Sequence, residues 1–300
     1  MHTGVVMRTL CLASCLACAS TTTQVDAVPV RVPAEPRAEP ERIRVVLERP
    51  SRVGHRHRVM RRSRQQRTRS VYEGETLSER PIETDQEVEM QAIATVMALD
   101  PDGGVSELQL VIERLVWSRG APPDADATVL EPGVVVLLRR GDPGEFSIDG
   151  EPVYGHVLDA LELAIDSTRD EDQDVLFGTP EPQPVGGQWS INAEAVAAAL
   201  HSPRSPVAPE NVSGTATLVA ADADGYTVRA TWHVETETDE PQVRRVVHGD
   251  GVVRYSSDPA VPPVEAELDL RQDWQLVRGN ERIVSTSLGS YLTKRWPLGE

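Results

Sequence analysis

The chain has 300 residues, 39% of them hydrophobic, and a formal net charge of −17. That length suits one large β domain or two smaller ones, and the acidic balance excludes a dedicated nucleic-acid binder, which needs an uncompensated basic face. Its three cysteines, Cys11, Cys15 and Cys18, all lie at the extreme amino terminus, which leaves none in the body of the chain for a disulfide, a cysteine zinc site or a thiol nucleophile.

Arg8 precedes a short apolar run, TLCLASCLACA, that gives way to STTTQ. This is the plan of a secretory signal, and the run is too short to span a bilayer. Within it Leu12-Ala13-Ser14-Cys15 resembles the lipobox of bacterial lipoproteins, whose cysteine is cleaved and lipidated. Cys15 fits the four-residue pattern, Cys18 leaves a longer apolar run before it, and ordinary cleavage after Ala17-Cys18-Ala19 is a third reading. The expectation is a signal peptide over residues 1–18 and export, with a membrane anchor through a lipid on Cys18 or Cys15. Neither cysteine is followed by Asp at the second position. By the resemblance, that implies an outer-membrane address facing the periplasm.

Residues 19–41 are polar and then proline-rich, VPVRVPAEPRAEP, and predict an extended tether. A single β-rich domain is expected over 42–300, with 175–189 as the fallback division. Ile43, Val45 and Leu47 alternate and predict a first strand. Between Arg42 and Arg69 stand eleven arginines and one acid. The stretch from Val53 to Val71 has almost no apolar face and reads as an edge strand or a basic loop. The acids from Glu73 to Glu89 can pair with it across neighbouring strands. The functional alternative is contact of Arg56, Arg58, Arg61, Arg62 and Arg64 with an anionic lipid headgroup or a partner. His55 and His57 share a strand face, but no third metal ligand accompanies them, so two polar residues on an exposed strand is the plainer account.

Val88 to Ala98 and Leu108 to Val116 alternate about the turn at Asp100–Gly104, a hairpin, although Leu115 and Trp117 break the second pattern. Val134 to Leu138 predicts a buried strand, and Phe146 to Val153 a small hairpin. Tyr154, Val157, Leu158, Leu161, Ala164 and Ile165 follow helical spacing. The acidic loop after them lacks the order that calcium chelation needs. Val175 to Trp189 then predicts an extended crossing with a sharp turn at Gly186-Gly187. Ser190 or Asn192 would cap a second helix reaching Leu200. After a proline-rich loop, alternation marks strands around Leu218, from Tyr226 to Val234, from Val264 to Leu276 and from Val284 to Trp296. Gly249-Asp250-Gly251 reads as a hairpin turn between Val243–Val247 and Val252–Tyr255.

No Gly-x-Ser-x-Gly, phosphate loop, His-Glu-x-x-His or Cys-x-x-Cys motif is present, so a noncatalytic protein without a cofactor is expected. The fold class expected is mainly β, a large curved antiparallel sheet with two short helices packed on it. In plan this resembles the half-barrel of bacterial lipoprotein carriers. The run Pro184-Val185-Gly186-Gly187-Gln188-Trp189 is similar to a Val-Gly-x-x-Trp element of uncharacterised exported proteins, with Gly187 in place of an acidic residue. The resemblance implies an envelope location and an apolar groove for a lipid or a lipid-bearing partner. An adaptor binding another envelope protein through sheet edges or the arginine-rich strand is the alternative.

Overall fold

The computed structural model describes residues 41–298 other than 48, 121–126, 142–143, 166–172, 201–205, 240–241, 259–260 and 262. The predicted signal segment, both candidate lipidation cysteines and the tether up to residue 40 lie outside the described residues. In chain order the amino-terminal strands are β1 (Arg42–Ile43), β2 (Arg56–Glu73), β3 (Thr76–Leu77), β4 (Ile82–Leu99) and β5 (Val105–Arg119). Then come β6 (Ala127–Leu130), β7 (Val135–Arg139), β8 (Glu145–Ile148), β9 (Glu151–Pro152), α1 (Gly155–Ala164) and α2 (Gln173–Phe177). They are followed by β10 (Gln183–Pro184), β11 (Gln188–Ser190), α3 (Ala193–Leu200) and β12 (Val212–Asp222). The last four strands are β13 (Gly225–Asp239), β14 (Gln242–Ser256), β15 (Glu265–Arg278) and β16 (Glu281–Pro297).

Fourteen strands form one antiparallel sheet in the order β11-β12-β13-β14-β15-β16-β2-β4-β5-β7-β8-β9, with β3 beside β2 and β6 beside β5. The sheet is not closed into a barrel. Two consecutive-strand meanders meet where the last long strand pairs with the first: β16 lies on β2 from Glu281 opposite Glu73 to Pro297 opposite His57. β1 stands apart, pairing only with β10.

Partners in register share a face, and successive residues alternate between faces. One face can therefore be followed across the sheet, through Val234–Val247, Val247–Gln272, Gln272–Ser287, Ser287–Arg67 and Arg67–Thr84. Every covering element packs on this face. At one side α1 buries Ala160, Leu161 and Ala164 against Val59, Val88, Met90, Ile112, Leu115 and Leu138. At the other, Val45 and Leu47 pack on Ala216, Leu218, Tyr226, Val228, Ala230 and Tyr255. Next to them α2 and α3 bring Leu176, Val196 and Ala197 onto Val212, Val234 and Val247. We call this the dry face and its opposite the wet face.

The segment carrying Val45 and Leu47 is strapped down by side chains rather than by a sheet ladder. The Tyr226 hydroxyl donates to the Val46 carbonyl at 2.5 Å and accepts from its N–H at 3.0 Å, while Leu47 N–H donates to Asp174 at 2.6 Å. Those contacts replace strand partners, which is why the alternation at Ile43–Leu47 yields only a two-residue strand.

Four expectations need correction. Among the described residues three α-helices are present rather than two, because α2 takes up the start of the stretch expected to be an extended crossing. The arginine-rich stretch is neither an edge nor a loop: β2 is central, with β16 on one side and β4 on the other. A central strand is usually apolar because layers cover it; over its middle and carboxy-terminal part β2 has no such cover and needs only its backbone partners. Gly249 and Gly251 are not a turn but lie inside β14, opposite Trp232 and Ala230. The break in alternation at Leu115 is a bulge: Ile112 pairs with Ala92 but Arg114 with Gln91, which returns Leu115 and Trp117 to the dry face.

The apolar alternation Val284, Leu288, Leu292 and Trp296 falls on the wet face of β16, opposite Ser70, Gln66, Arg62 and Arg58, while two local expectations hold. Asp149 and Gly150, with φ of 52° and 84°, turn β8 into β9, a conformation suited to a two-residue hairpin. Asn192 caps α3, its side-chain oxygen accepting from Ala195 N–H at 3.2 Å.

Candidate functional site

Between the two covers the dry face of β15, β16 and the adjoining part of β2 is left open. Leu268, Leu270, Trp274 and Leu276 of β15 stand on it, partly exposed and outside all three cores. Their neighbours on β16 are Tyr291, Gly289, Ser285 and Ile283. Gly289, Ser287 and Ser285 thus make a lane floor beside a wall on β15 that is apolar except at Gln272. Tyr291 leans back over Gly289, where an added Cβ would meet its ring at 2.8 Å. The far wall, on β2, is polar: Gln65, Arg67 and Arg69 are the dry-face residues opposite Gly289, Ser287 and Ser285. Arg67 Nε donates to the Ser285 hydroxyl at 3.1 Å.

Where the lane meets α1 there is a cavity of about 350 Å³, lined by Gln65, Gln86, Trp117, Asp159, Leu163 and Tyr291 among others. Gln86 donates to Gln65 at 3.1 Å and Gln65 to the Tyr291 hydroxyl at 3.4 Å. The Arg119 guanidinium lies 3.7 Å from the centre of the Trp117 ring, a cation–π contact that seals this corner.

The wet face is organised by charge. Arg62 pairs with Glu87, Arg64 with Asp85, Arg58 with Glu113, Arg114 with Glu89 and Arg139 with Glu107. On the other half Arg229 meets Asp250, Arg244 meets Glu235 and Lys294 meets Glu265. Hydrogen bonding to these guanidinium groups holds the carboxyls of Asp85 and Asp250 below their ordinary range. Exposed pairs of this kind contribute ~0.2–1 kcal/mol each, so their main effect is to keep a broad polar face in register. A depression of about 460 Å³ on this face has Arg64, His248, Asp250, Asp269 and Arg271 on its rim, a mixture of signs that selects no ligand.

Of the arginines singled out from the sequence, Arg58, Arg62 and Arg64 are thus held by carboxylates on the wet face. Arg56 is exposed on the same face, and Arg61 lies on the dry face, opposite Met90 and Thr293. His55 and His57 are neighbours, their ring centres 5.8 Å apart. Burial, aided by Arg295 and His55, lowers the His57 imidazole to about 4. Its unfolded value of ~6.5 is higher, so the unfolded chain takes up the proton first. Stability from this group is complete above pH 6.5 and drains away as pH falls toward 4, by about 2–3 kcal/mol after allowance for solvent screening. Urea titrations between pH 4 and 7 should show that slope in the parent and a shallower one in His57→Gln.

Neither a family model nor a curated protein matches the chain. Among solved structures it is similar to one described as "Lipid-protein interactions in lipovitellin", at 10% identity and a TM-score of 0.35. That match covers 83% of this chain and only 26% of the other. So distant a likeness carries no argument about function.

Sequence reasoning missed two things here. His248, next to the stretch expected to be a turn, lies within β14 directly opposite His233, their Nδ1 atoms 3.2 Å apart. The lane itself was invisible, because it depends on β16 pairing with β2. Its only sequence signal is parity: Arg56, Arg58, Arg62 and Arg64 fall on one face of the strand, and Arg61, Arg67 and Arg69 on the other.

Proposed function

We propose that the chain is a noncatalytic, exported envelope lipoprotein that binds an apolar ligand, a lipid chain, along the dry-face lane. The observation that carries this reading is the row Leu268, Leu270, Trp274 and Leu276, left partly exposed on the same face that every helix covers elsewhere. From Leu268 to Leu276 the row runs about 26 Å at ~3.3 Å per residue, and each buried CH₂ of a ligand contributes ~0.8 kcal/mol. An adaptor working through sheet edges has less support. The main sheet ends in β11 and β9, strands of three and two residues, which offer little backbone to an added strand.

Nile red, a neutral apolar dye, supplies the test. It should bind the parent saturably, and Leu270→Asp and Leu276→Asp should each weaken it at least tenfold. Leu288→Asp, on the wet face of β16, should leave binding unchanged. Equal affinity in all four proteins would overturn the reading, as would failure of the dye and of native mass spectrometry to detect any bound apolar molecule.

A further inference from the structure

The charge on the lane has a sign that the chain as a whole does not. On the dry face of β14, β15, β16 and β2 stand Arg61, Arg67, Arg69, Arg245 and Arg295. The same face of these strands carries no aspartate or glutamate except at one end, where Glu73 lies opposite Glu281. The acids of these strands otherwise project from the wet face, where they meet the pairs described above. A chain of net charge −17 therefore places Arg67 and Arg69 beside an open apolar row, on a stretch of the face that carries no acid.

The arrangement is tightest at one rung. Arg245 is opposite Trp274, Trp274 opposite Ser285, and Ser285 opposite Arg69. Arg67 reaches the same Ser285 hydroxyl at 3.1 Å. Arg69 is exposed and has no carboxylate partner among the described residues. With neighbouring strands ~4.8 Å apart, Arg245 and Arg69 stand about 14 Å apart across Trp274 and Ser285. Ser285 is only 4% exposed and carries both a donor and lone pairs. This is a place where an anionic group can gather charge-assisted hydrogen bonds from guanidinium groups while its chain continues over Trp274 and Leu270.

We infer that the ligand of the lane is an anionic amphiphile, a single-chain carboxylate or phosphate lipid. Its head is held by Arg67 and Arg69 at Ser285, and its tail lies on Leu268, Leu270 and Trp274. The inference rests on the proposed apolar site and adds the chemical class of what fills it. A neutral lipid would leave the arginines without a counter-charge and gain only the apolar contact. Cationic lipids would be repelled.

Oleate and oleyl alcohol, which share a chain and differ in head charge, distinguish the possibilities when each displaces Nile red from the full chain at low ionic strength. Oleate should displace the dye at a concentration at least tenfold lower than the alcohol, and the gap should narrow as salt screens the arginines. In Arg67→Gln/Arg69→Gln the oleate value should rise to that of the alcohol while the alcohol value stays put. Arg58→Gln/Arg62→Gln, on the wet face, should behave as the parent. Both arginines of the first pair are exposed, so the variant is expected to fold, and circular dichroism verifies this. Equal displacement by the two lipids in the parent overturns the charge inference and leaves the apolar site standing. Displacement by neither overturns the apolar site itself.

Discussion

Gly249→Val will destabilise the fold by about 3 kcal/mol, and Trp232→Leu made in the same chain will recover most of the loss. Gly249 sits in the middle of β14 on the dry face, directly opposite Trp232. A Cβ at that position would lie 2.1 Å from the indole ring atoms Cε2 and Cζ2 of Trp232. The indole cannot move aside cheaply, because it packs against two of the three cores and against Phe177, ring centre to ring centre 5.4 Å. Inserting side-chain atoms into a filled core forces shifts that typically cost ~1–3 kcal/mol, and valine adds three carbons where there is room for none. Trp232→Leu alone opens a cavity and should cost ~2–4 kcal/mol. Urea unfolding of the parent, the two single variants and the pair gives the coupling energy. A favourable coupling above 1 kcal/mol supports the contact, and simple additivity of the two losses would show that the glycine is there for some other reason.

Gly249 also shows why some of the fold was legible in the sequence and some was not. Gly-Asp-Gly in a β-rich chain reads as a turn by local chemistry. Here tertiary packing overrides it: the strand needs an absent side chain under an indole from its neighbour. Strands β4 and β13 were legible because each buries one face over much of its length and exposes the other, and β15 because apolar and charged residues alternate along it, so period-two alternation survives in the residues. The second of the paired long strands, β5, was misread at Leu115 because a bulge changes phase without any local mark such as glycine. β2 failed for a different reason. A strand whose middle is exposed on both faces has no apolar periodicity, and its only requirement is that both backbone edges be paired.

The candidate site was the least legible part. Its apolar wall, Leu268 to Leu276, was visible as the dry side of a strand, and a dry side is ordinarily assumed to be covered. That it is open follows from where α1, α2 and α3 come to rest. The basic wall depends on a pairing between residues more than two hundred positions apart, Ser285 with Arg69 among them. Face parity along β2 could have separated the arginines of the wet face from those of the dry face, but only with the strand recognised as central. Acidic partners for Arg62 and Arg64 were expected from the run Glu73–Glu89, and Glu87 and Asp85 are those partners.

The stretch from Val175 to Trp189 lies between the two meanders in the chain and packs on the carboxy-terminal one, and Trp189→Ala will lower the stability of the whole described domain by about 3 kcal/mol. The indole N–H donates to the Phe177 carbonyl at 2.7 Å, tying the end of α2 to β11. Its ring, opposite Ala216 in register, joins the core formed by Val45, Leu47 and Leu218. Around it the backbone is held on both sides of the turn: Gly186 N–H donates to Leu218 O at 2.7 Å and Leu218 N–H to Gly187 O at 3.0 Å. Gly186, at φ 84°, adopts a conformation that glycine takes without strain. Truncation removes a hydrogen bond worth ~1 kcal/mol and much of an aromatic ring, for which complete burial would cost ~3–5 kcal/mol; partial exposure of the ring sets the expectation at the lower end. The long β2–β16 pairing makes the two halves share one sheet, so loss at this joint should propagate to both. The measurement is a thermal melt followed at once by far-ultraviolet circular dichroism and by exchange of amides in β4 and β13. A single midpoint that moves down together for all three signals is the expected result. If the β13 amides loosen well below the temperature at which β4 is lost, the joint serves only the carboxy-terminal meander, and the two halves are independent folding units that happen to share a seam.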